Sequence, residues 1–347
     1  MHITASKARE ELDNSQEPLF LFDDDCDGLC SFLQMYRYKK EGKFQIVKGR
    51  PTVDSRYVSK VEEHVPDKVF ILDMPQVEQE FIDSARMNGA DVVWIDHHMP
   101  LERDHVKHFN PRYKGDSMPT SQMCYEIVKQ DEWIAAVGTV SDWFWNDFLK
   151  EYAGKHPHLL SPKTKSPEQA LFDSKLGTVA RIMSFNMKGK VSEVMKSIRA
   201  LLQVNSPEEI LEQESDNGKL IYAKFEKIDL IYQKLLGEAM QKKSKDEILL
   251  FIYSDDDWSL TKDLSNELLY RNPEKVVIIG REKNGEAKMS IRARDYILQP
   301  IVEKALIGVE GYGGGHEHAC GSNVKSHDLK RFLEQFREEM ERAKKTK

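Results

Sequence analysis

Three short apolar runs, each ending in aspartate, constrain the fold of this chain more than any other feature. They are PLFLFDD at 18–24, KVFILD at 68–73 and DVVWID at 91–96. Strands that are apolar throughout are buried on both faces, and a helical pattern separates the second run from the third. This alternation predicts a parallel sheet covered by helices on both faces. Because parallel strands end at one edge of the sheet, the aspartates are expected to meet there.

The rest of the chain divides by pattern into further segments. Helical patterns occupy 29–38, 78–88 and 119–129, and an apolar run at 133–140 ends at Ser141-Asp142. A stretch rich in Pro, Lys, His and Ser at 150–167 indicates a boundary, and helical periodicity follows over 172–240. A second αβ pattern begins at Glu247, with a hairpin at Asn284-Gly285 and a charged helix from Ser326. We predict an α/β fold with a parallel, doubly wound domain at 1–150, a linker and helical connector at 151–245, and a smaller mixed-sheet α/β domain at 246–347.

Length, charge and cysteine content narrow the function. The 347 residues suit two domains, and no apolar run approaches the roughly 20 residues of a membrane helix. The polar amino terminus is unlike a signal peptide, and the four cysteines form no CxxC pair, so a reducing cytoplasmic location is expected. The formal net charge of -7 disfavours a protein that coats long duplex, although local basic grooves remain open.

The first acidic cluster lies in FDDDCDG at 22–28. The alternation of Asp23, Asp25 and Asp27 would place three carboxylates on one side of an extended chain, where they repel unless a cation neutralises them. An acidic turn before Gly28 is the other interpretation. The helix that follows could also present its amino terminus to an anion.

A second cluster, Asp96-His97-His98, ends another strand of the same sheet. Adjacent histidines in a loop are usually solvated, but here they join the strand-end acids and Asp142. Carboxylates mixed with imidazoles are typical of Mn²⁺ or Mg²⁺ sites, and the number of ligands suffices for two ions that activate a water for attack on phosphorus. Zinc fits less well because thiolate spacing is absent.

The carboxyl-terminal part offers candidate phosphate contacts. Ser290 and Arg292 alternate on a predicted strand, which would place a hydroxyl and a guanidinium on one face. The run Gly313-Gly314-Gly315-His316 would let backbone amides approach an anion. For Ser290 and Arg292 the alternative is an exposed sheet face. For the glycine run the alternative is a flexible turn, which is the favoured interpretation of three glycines taken alone.

Aromatic and basic residues raise further options. Trp143, Phe144 and Trp145 follow Asp142 directly and either stack on bases or, as is commoner, belong to the core. The groups RYKK at 37–40 and Arg112-Tyr113-Lys114 either guide a nucleic-acid backbone or are solvated surface charge.

Taken together, these motifs resemble the DHH phosphoesterase superfamily with its associated carboxyl-terminal domain. DDDCDG is similar to the first motif, Asp73 to the second, Asp96-His97-His98 to the signature and GTVSD at 138–142 to the fourth, while Asn110-Pro111 also fits. An acidic first motif, where other branches begin with His, resembles the RecJ-type nuclease branch. The chain is too short for the extra oligonucleotide-binding barrel of RecJ, and 150–245 resembles nothing assignable.

The resemblance implies a role for each matched residue. Asp23 and Asp25 would hold one metal ion, Asp73 would bridge, and Asp27, His97 and Asp142 would hold a second. His98 would contact the scissile phosphate and Asp96 would orient a histidine. The substrate contacts would come from Ser290, Arg292, Gly313, Gly314, Gly315 and His316.

The resemblance therefore implies an Mn²⁺-dependent exonuclease, with Mg²⁺ as a further option, that acts on single-stranded or short DNA or RNA held between two domains. Replication or repair partners are expected, and no membrane is involved. The alternatives are a phosphoesterase for cyclic or linear dinucleotides or for phosphoadenosine phosphate, and an inactive Cdc45-like replication scaffold. Polarity, nucleic-acid type and oligomeric state stay open.

Overall fold

The computed structural model describes residues 1–49, 51–242, 246–254 and 258–345. The chain forms two compact units, Met1–Phe225 and Glu226–Lys347. In the described part of the chain, no helix combines the length and apolar character needed to span a bilayer.

The amino-terminal unit contains a five-stranded sheet, a two-stranded sheet and twelve described helices, the last of which continues into the second unit. The strands are β1 (Pro18–Asp23), β2 (Lys43–Val47), β3 (Thr52–Val53), β4 (Lys68–Leu72), β5 (Gln76–Val77), β6 (Asp91–Ile95) and β7 (Val106–Phe109). The helices are α1 (Ala5–Asp13), α2 (Cys26–Lys39), α3 (Val58–His64), α4 (Gln79–Met87), α5 (Thr120–Val128), α6 (Glu132–Ser141), α7 (Asp147–Lys155), α8 (Pro167–Phe172), α9 (Lys175–Asn186), α10 (Val191–Leu201), α11 (Pro207–Leu211) and α12 (Asp216–Gln241).

The large sheet has the order β2-β1-β4-β6-β7, and all its strand pairs are parallel. The predicted parallel sheet is therefore confirmed, with the three Asp-terminated strands at its centre. The chain passes from β1 to β2 on one side and then crosses to β4 on the other. A topological switch point thus lies between β1 and β4, and ligands of such sheets bind beyond the strand ends at that point.

Both faces of the sheet are covered, as the apolar runs predicted. On one face, Leu19, Leu21 and Ile71 pack with Phe81 and Ile82 of α4. On the other face, the alternate residues Phe20 and Phe22 contact rings of α2 and of the neighbouring strands. The edge strands β2 and β7 were not predicted because each is half-exposed and carries Lys beside apolar residues.

The segment after the sheet is helical. The apolar run at 133–140 is helix α6 and not a fourth buried strand, so Asp142 lies at a helix end. Helices α8 to α12 confirm the helical periodicity of 172–240. Residues 150–155, assigned to a linker by composition, end helix α7. The division at 150 and 245 stays a prediction, and its second boundary lies outside the described residues.

The carboxyl-terminal unit contains a mixed sheet of order β11-β12-β10-β9-β8. Its elements are β8 (Ile248–Tyr253), α13 (Thr261–Arg271), β9 (Val276–Lys283), β10 (Glu286–Arg292), α14 (Leu298–Ala305), β11 (Gly311–His316), β12 (Ala319–Lys325) and α15 (Leu329–Lys345). Asn284 and Gly285 both have positive φ, as a two-residue hairpin between β9 and β10 requires. The glycine run forms edge strand β11, so the flexible turn favoured for it is wrong.

Candidate metal centre

The strand ends deliver acidic side chains to one edge of the parallel sheet. Asp23 is the last residue of β1, and Asp73 and Asp96 directly follow β4 and β6. Asp73 has a φ of 59°, a left-handed conformation that aspartate adopts more readily than most residues. The chain therefore turns sharply after β4, next to the switch point.

The start of α2 is fixed by one of the predicted ligands. Oδ1 of Asp25 accepts hydrogen bonds of 3.1 Å from the backbone N–H groups of Asp27 and Gly28. The carboxylate of Asp25 thus satisfies two N–H groups at the amino terminus of α2, and the binding of a further anion there stays a prediction. Gly28 is needed because a Cβ there would lie 2.8 Å from the carbonyl oxygen of Asp23.

All six predicted metal ligands and His98 come together at this edge. Their donor atoms form three overlapping groups, within each of which the atoms lie no more than 4.8 Å apart. The groups are Asp23, Asp25 and Asp73; Asp27, His97 and Asp142; and Asp73, His97 and His98. Asp73 and His97 each belong to two of the groups, so both lie where the groups overlap.

The spacing within the centre fits a shared cation. Nε2 of His97 lies 3.5 Å from Oδ1 of Asp73 and 3.5 Å from Oδ2 of Asp142. Two atoms that each lie about 2.0–2.2 Å from one ion are roughly 3 Å apart, so small adjustments would allow these atoms to bind one ion. Burial lowers the pKa of His97 to about 3, which keeps its imidazole neutral, as a metal ligand requires.

Asp27 is anchored to the start of α5. Its carboxylate accepts hydrogen bonds from the backbone N–H of Thr120 at 2.8 Å, from the N–H of Ser121 at 3.1 Å and from the Ser121 hydroxyl. Burial raises the pKa of Asp27 to about 6, with the charge of Asp25 adding to the rise. Pro119, the N-cap residue of α5, makes no side-chain cap hydrogen bond, and Asp27 of α2 caps this helix start instead.

Asp73 is buried among the other carboxylates of the centre. Its Oδ1 accepts a 2.8 Å hydrogen bond from the Thr120 hydroxyl. Burial raises the pKa of Asp73 well above its usual range, and the neighbouring charges of Asp27 and Asp25 raise it further. Several buried carboxylates without a cation are unfavourable, so this donor set fits divalent ions that neutralise it.

Asp96 positions His98. Oδ1 of Asp96 lies 2.7 Å from Nδ1 of His98, and its Oδ2 accepts the backbone N–H of the same residue at 2.9 Å. Burial alone would lower the pKa of His98, but the hydrogen bond to Asp96 and the negative charges of Asp96, Asp23 and Asp25 together raise it above its usual value. Asn110, directly after β7, donates to the His98 carbonyl at 2.9 Å. The ring and the backbone of His98 are thus both held in place by hydrogen bonds.

Two site residues were not identified from the sequence. The first is Thr120, described above. The second is Arg112, for which solvated charge was the favoured interpretation, but whose Nε donates to the carbonyl oxygen of His97. Both roles depend on contacts between residues distant in the chain. In the sequence, only Asn110-Pro111 indicated that the segment containing Arg112 lies near the histidines.

The carboxyl-terminal unit contains the predicted phosphate contacts. The Ser290 hydroxyl donates to Oγ1 of Thr261 at 3.2 Å, and Nε of Arg292 donates to Oδ1 of Asn266 at 2.9 Å. Both partners lie on α13, so the predicted shared face of Ser290 and Arg292 is covered in part by this helix. Burial lowers the pKa of Arg292 from its usual value.

The glycines of β11 lie on the same sheet as Ser290 and Arg292. Across the sheet, Arg292 is in register with Ala319 and Ala319 with His316. Two positions along, Ser290 is in register with Gly321 and Gly321 with Gly314. A Cβ at Gly314 would meet nothing within 4 Å. Rows of small residues between Arg292 and His316 give a ligand close access to the backbone. A Cβ at Gly313 or Gly315 would collide with β12, so close packing of the two strands requires glycine at these positions.

Two protein-family models match the chain. The description "DHH family, N-terminal domain" matches residues 20–143, and "DHHA1 domain" matches residues 217–342. The first match spans the whole metal centre, and the second spans Ser290, Arg292 and the glycine strand. Residues 20–143 therefore form a DHH-family domain, and residues 217–342 form a DHHA1 domain. The resemblance stated from the motifs is therefore confirmed.

Solved structures of DHH-family proteins share the fold of this chain. RecJ from Thermus thermophilus in complex with Mn²⁺ superposes with a TM-score of 0.67 at 16% identity, and covers 97% of this chain. A pGpG-specific phosphodiesterase from Vibrio cholerae gives a TM-score of 0.54 at 13% identity over 94% of this chain. Cdc45 from Entamoeba histolytica gives 0.54 at 10% identity over 97% of it.

The structures differ in how much of their own length is matched. This chain spans 54% of the Thermus RecJ chain, but 100% of the Vibrio phosphodiesterase and 99% of Cdc45. No protein with a curated description matches the sequence significantly. At these identities the structures establish the fold alone.

Proposed function

We propose that this DHH-family protein is a metal-dependent phosphodiesterase. The observation that carries the proposal is the convergence of five aspartates and two histidines in three overlapping ligand groups at the sheet edge. Ordinary acidic surfaces lack such burial, since Asp27 and Asp73 are each 2% exposed and His97 is 7% exposed. Buried carboxylates that remain in a fold indicate a cation or a catalytic role.

Two Mn²⁺ or Mg²⁺ ions fit the donor set. Asp23, Asp25 and Asp73 would hold one ion, and Asp27, His97 and Asp142 would join Asp73 around the other. When bound, such ions lower the pKa of a water and polarise the phosphoryl oxygens. Thermus RecJ forms complexes with Mn²⁺ and with Mg²⁺, which supports this choice of ions.

The protein's own residues would orient the substrate and assist proton transfer. His98, held by Asp96, would donate a hydrogen bond to a phosphate oxygen or protonate the leaving oxygen. The upward shift of its pKa favours the protonated form that such a donor needs. In the carboxyl-terminal unit, Ser290, Arg292 and His316 would bind a substrate phosphate, with Gly313, Gly314 and Gly315 allowing close approach.

The leading substrate is the end of a single-stranded or short nucleic acid, cut as by an exonuclease. The acidic first motif and the superposition on RecJ support this choice. A dinucleotide phosphodiesterase is the second candidate, because the pGpG-specific enzyme shares the fold over its full length. A phosphatase for phosphoadenosine phosphate would use the same site. An inactive scaffold of the Cdc45 kind is disfavoured because every ligand type is retained.

One set of assays separates these candidates. Purified protein with Mn²⁺ is incubated with DNA and RNA oligonucleotides of several lengths, labelled at the 5′ or the 3′ end, and with pGpG. A ladder of shortened products supports an exonuclease, and cleavage confined to dinucleotides supports the second candidate. Absence of hydrolysis together with undetectable Mn²⁺ binding by calorimetry would contradict the proposal and favour the scaffold.

A further inference from the structure

The loop between α6 and α7 contains three consecutive aromatic residues beside the metal centre. We name Trp143, Phe144 and Trp145 the aromatic loop. It follows the candidate ligand Asp142 directly, and its three residues are each half-buried. The centroid of the Phe144 ring lies 6.2 Å from that of the His97 ring. The loop therefore lies at the site where a scissile phosphate would bind.

The conformation of the aromatic loop is fixed at both ends. The N–H of Trp143 donates to the carbonyl of Val140 and the N–H of Phe144 to that of Thr139, each at 3.2 Å. These two bonds form a Schellman helix end, in which the left-handed position is usually glycine. Here Trp143 occupies that position with a φ of 61°. At the other end, Asn146 caps α7 by accepting the N–H of Leu149 at 3.2 Å.

A left-handed tryptophan is unfavourable and needs a compensating reason. Packing accounts for part of it, since the Trp143 ring contacts that of Phe172 at 5.9 Å. The Phe144 ring packs edge-to-face against the His97 ring. Trp145, in contrast, has no hydrogen bond or ring contact with any residue in the described ranges. The hydrogen-bonded loop thus holds a partly exposed indole that makes no hydrogen bond or ring contact within the described ranges.

We propose that Phe144 and Trp145 stack on nucleobases next to the scissile phosphate, so that the substrate class is a nucleic-acid strand and not a simple phosphodiester. This inference rests on the proposed function. Aromatic side chains bind bases of any sequence because every base has a π-face. Since the loop is fixed in advance, little conformational entropy is lost on stacking.

The test compares oligonucleotides with and without terminal bases. Hydrolysis with Mn²⁺ is measured for an intact oligonucleotide and for one with two abasic nucleotides at each end. Trp145→Ala should raise KM for the intact substrate about 10-fold and leave the abasic one unchanged, the scale expected for one lost base stack. Trp145→Phe should restore most of the affinity. Phe148→Ala is the matched control, because its half-buried ring contacts Tyr125 at 5.5 Å on the neighbouring helix.

Equal losses on both substrates, or no loss on either, would overturn the stacking proposal while leaving phosphodiester hydrolysis intact. If the protein hydrolyses neither substrate, the proposed function fails, and stacking is decided by tryptophan fluorescence. The intact oligonucleotide should then quench the emission more than the abasic one does, and Trp145→Phe should abolish the difference. Equal quenching by both oligonucleotides would overturn the proposal.

Discussion

The hydroxyl of Thr120 donates a 2.8 Å hydrogen bond to Oδ1 of Asp73, and these residues lie 47 positions apart in the chain. This bond joins the first turn of α5 to the residue after β4. The backbone N–H of Thr120 also donates to Asp27. One residue therefore orients two carboxylates of the centre, and the position of α5 sets their spacing.

Asp73→Asn should abolish hydrolysis. Asparagine tolerates the left-handed backbone and still accepts the Thr120 hydrogen bond, but it removes the charge shared by two ligand groups. Activity with Mn²⁺ should fall by about 10³-fold or more, the scale of losing a central catalytic group. Circular dichroism should show an unchanged fold, and retained activity would contradict the two-ion assignment.

Thr120→Val should weaken metal binding without unfolding the protein. Valine has the shape of threonine but cannot donate to Asp73, and loss of a group that orients a metal ligand typically costs about 10–100-fold in affinity or activity. Calorimetry with Mn²⁺ measures the change. Thr120→Ser keeps the hydroxyl and should bind Mn²⁺ like the unchanged protein; equal weakening in both variants would argue against the hydrogen bond.

Without metal, the stability gained by Asp73→Asn should depend on pH. Because the pKa of Asp73 is raised in the folded state, the folded protein holds this proton more tightly than the unfolded chain does. The destabilisation caused by burying the Asp73 carboxyl is absent below the pKa of aspartate in the unfolded chain, about 3.9, and grows as the pH rises above that value. In EDTA at pH 7.5, the variant should have a higher melting temperature than the unchanged protein. Near pH 4, the two melting temperatures should be the same. The exposed Asp104→Asn should show no such trend.

Gly138→Ala should destabilise the protein and lower its activity. A Cβ at Gly138 would lie 2.3 Å from Oγ and 2.5 Å from Cβ of Ser121, and 2.9 Å from Cβ of Cys30. Relief of this overlap must shift Ser121 and, through it, Asp27, at a cost of about 1–3 kcal/mol. Gly154→Ala in α7 meets no atom within 4 Å and should be neutral or slightly stabilising in thermal melts. A harmless Gly138→Ala would contradict this packing argument.

Arg292→Lys should raise KM and lower thermal stability. Besides its hydrogen bond to Asn266, the guanidinium donates to the carbonyls of Ile291 and Cys320 at 2.9 and 3.0 Å. The ammonium of lysine cannot make the same planar set of hydrogen bonds. We expect a loss of about 1–3 kcal/mol from these charged hydrogen bonds. Arg294→Lys, two residues on and exposed, is the matched control for melts and for KM. Identical behaviour of the two variants would rule out a special role for Arg292.

The parallel sheet and its acidic edge were predictable because their causes are local in sequence. Apolar runs such as KVFIL at 68–72 require burial on both faces, and an aspartate after each run must then lie at the shared strand ends. The edge strands β2 and β7 were not predictable, since half-exposed strands lack a continuous apolar run. Helix α6 was ambiguous because periodicity does not separate a buried strand from a short buried helix.

The sequence by itself determined which residues carry the chemistry: the strand-end acids, the adjacent histidines, and the serine and arginine on one strand. Only the tertiary structure decided how they are held. Asp27 caps α5, Thr120 contacts Asp73, and Arg112 supports His97 through contacts between residues distant in the chain. The physical reason is that side-chain type and strand period are local properties, whereas the pKa values and hydrogen bonds of the centre depend on burial and on which helices pack together.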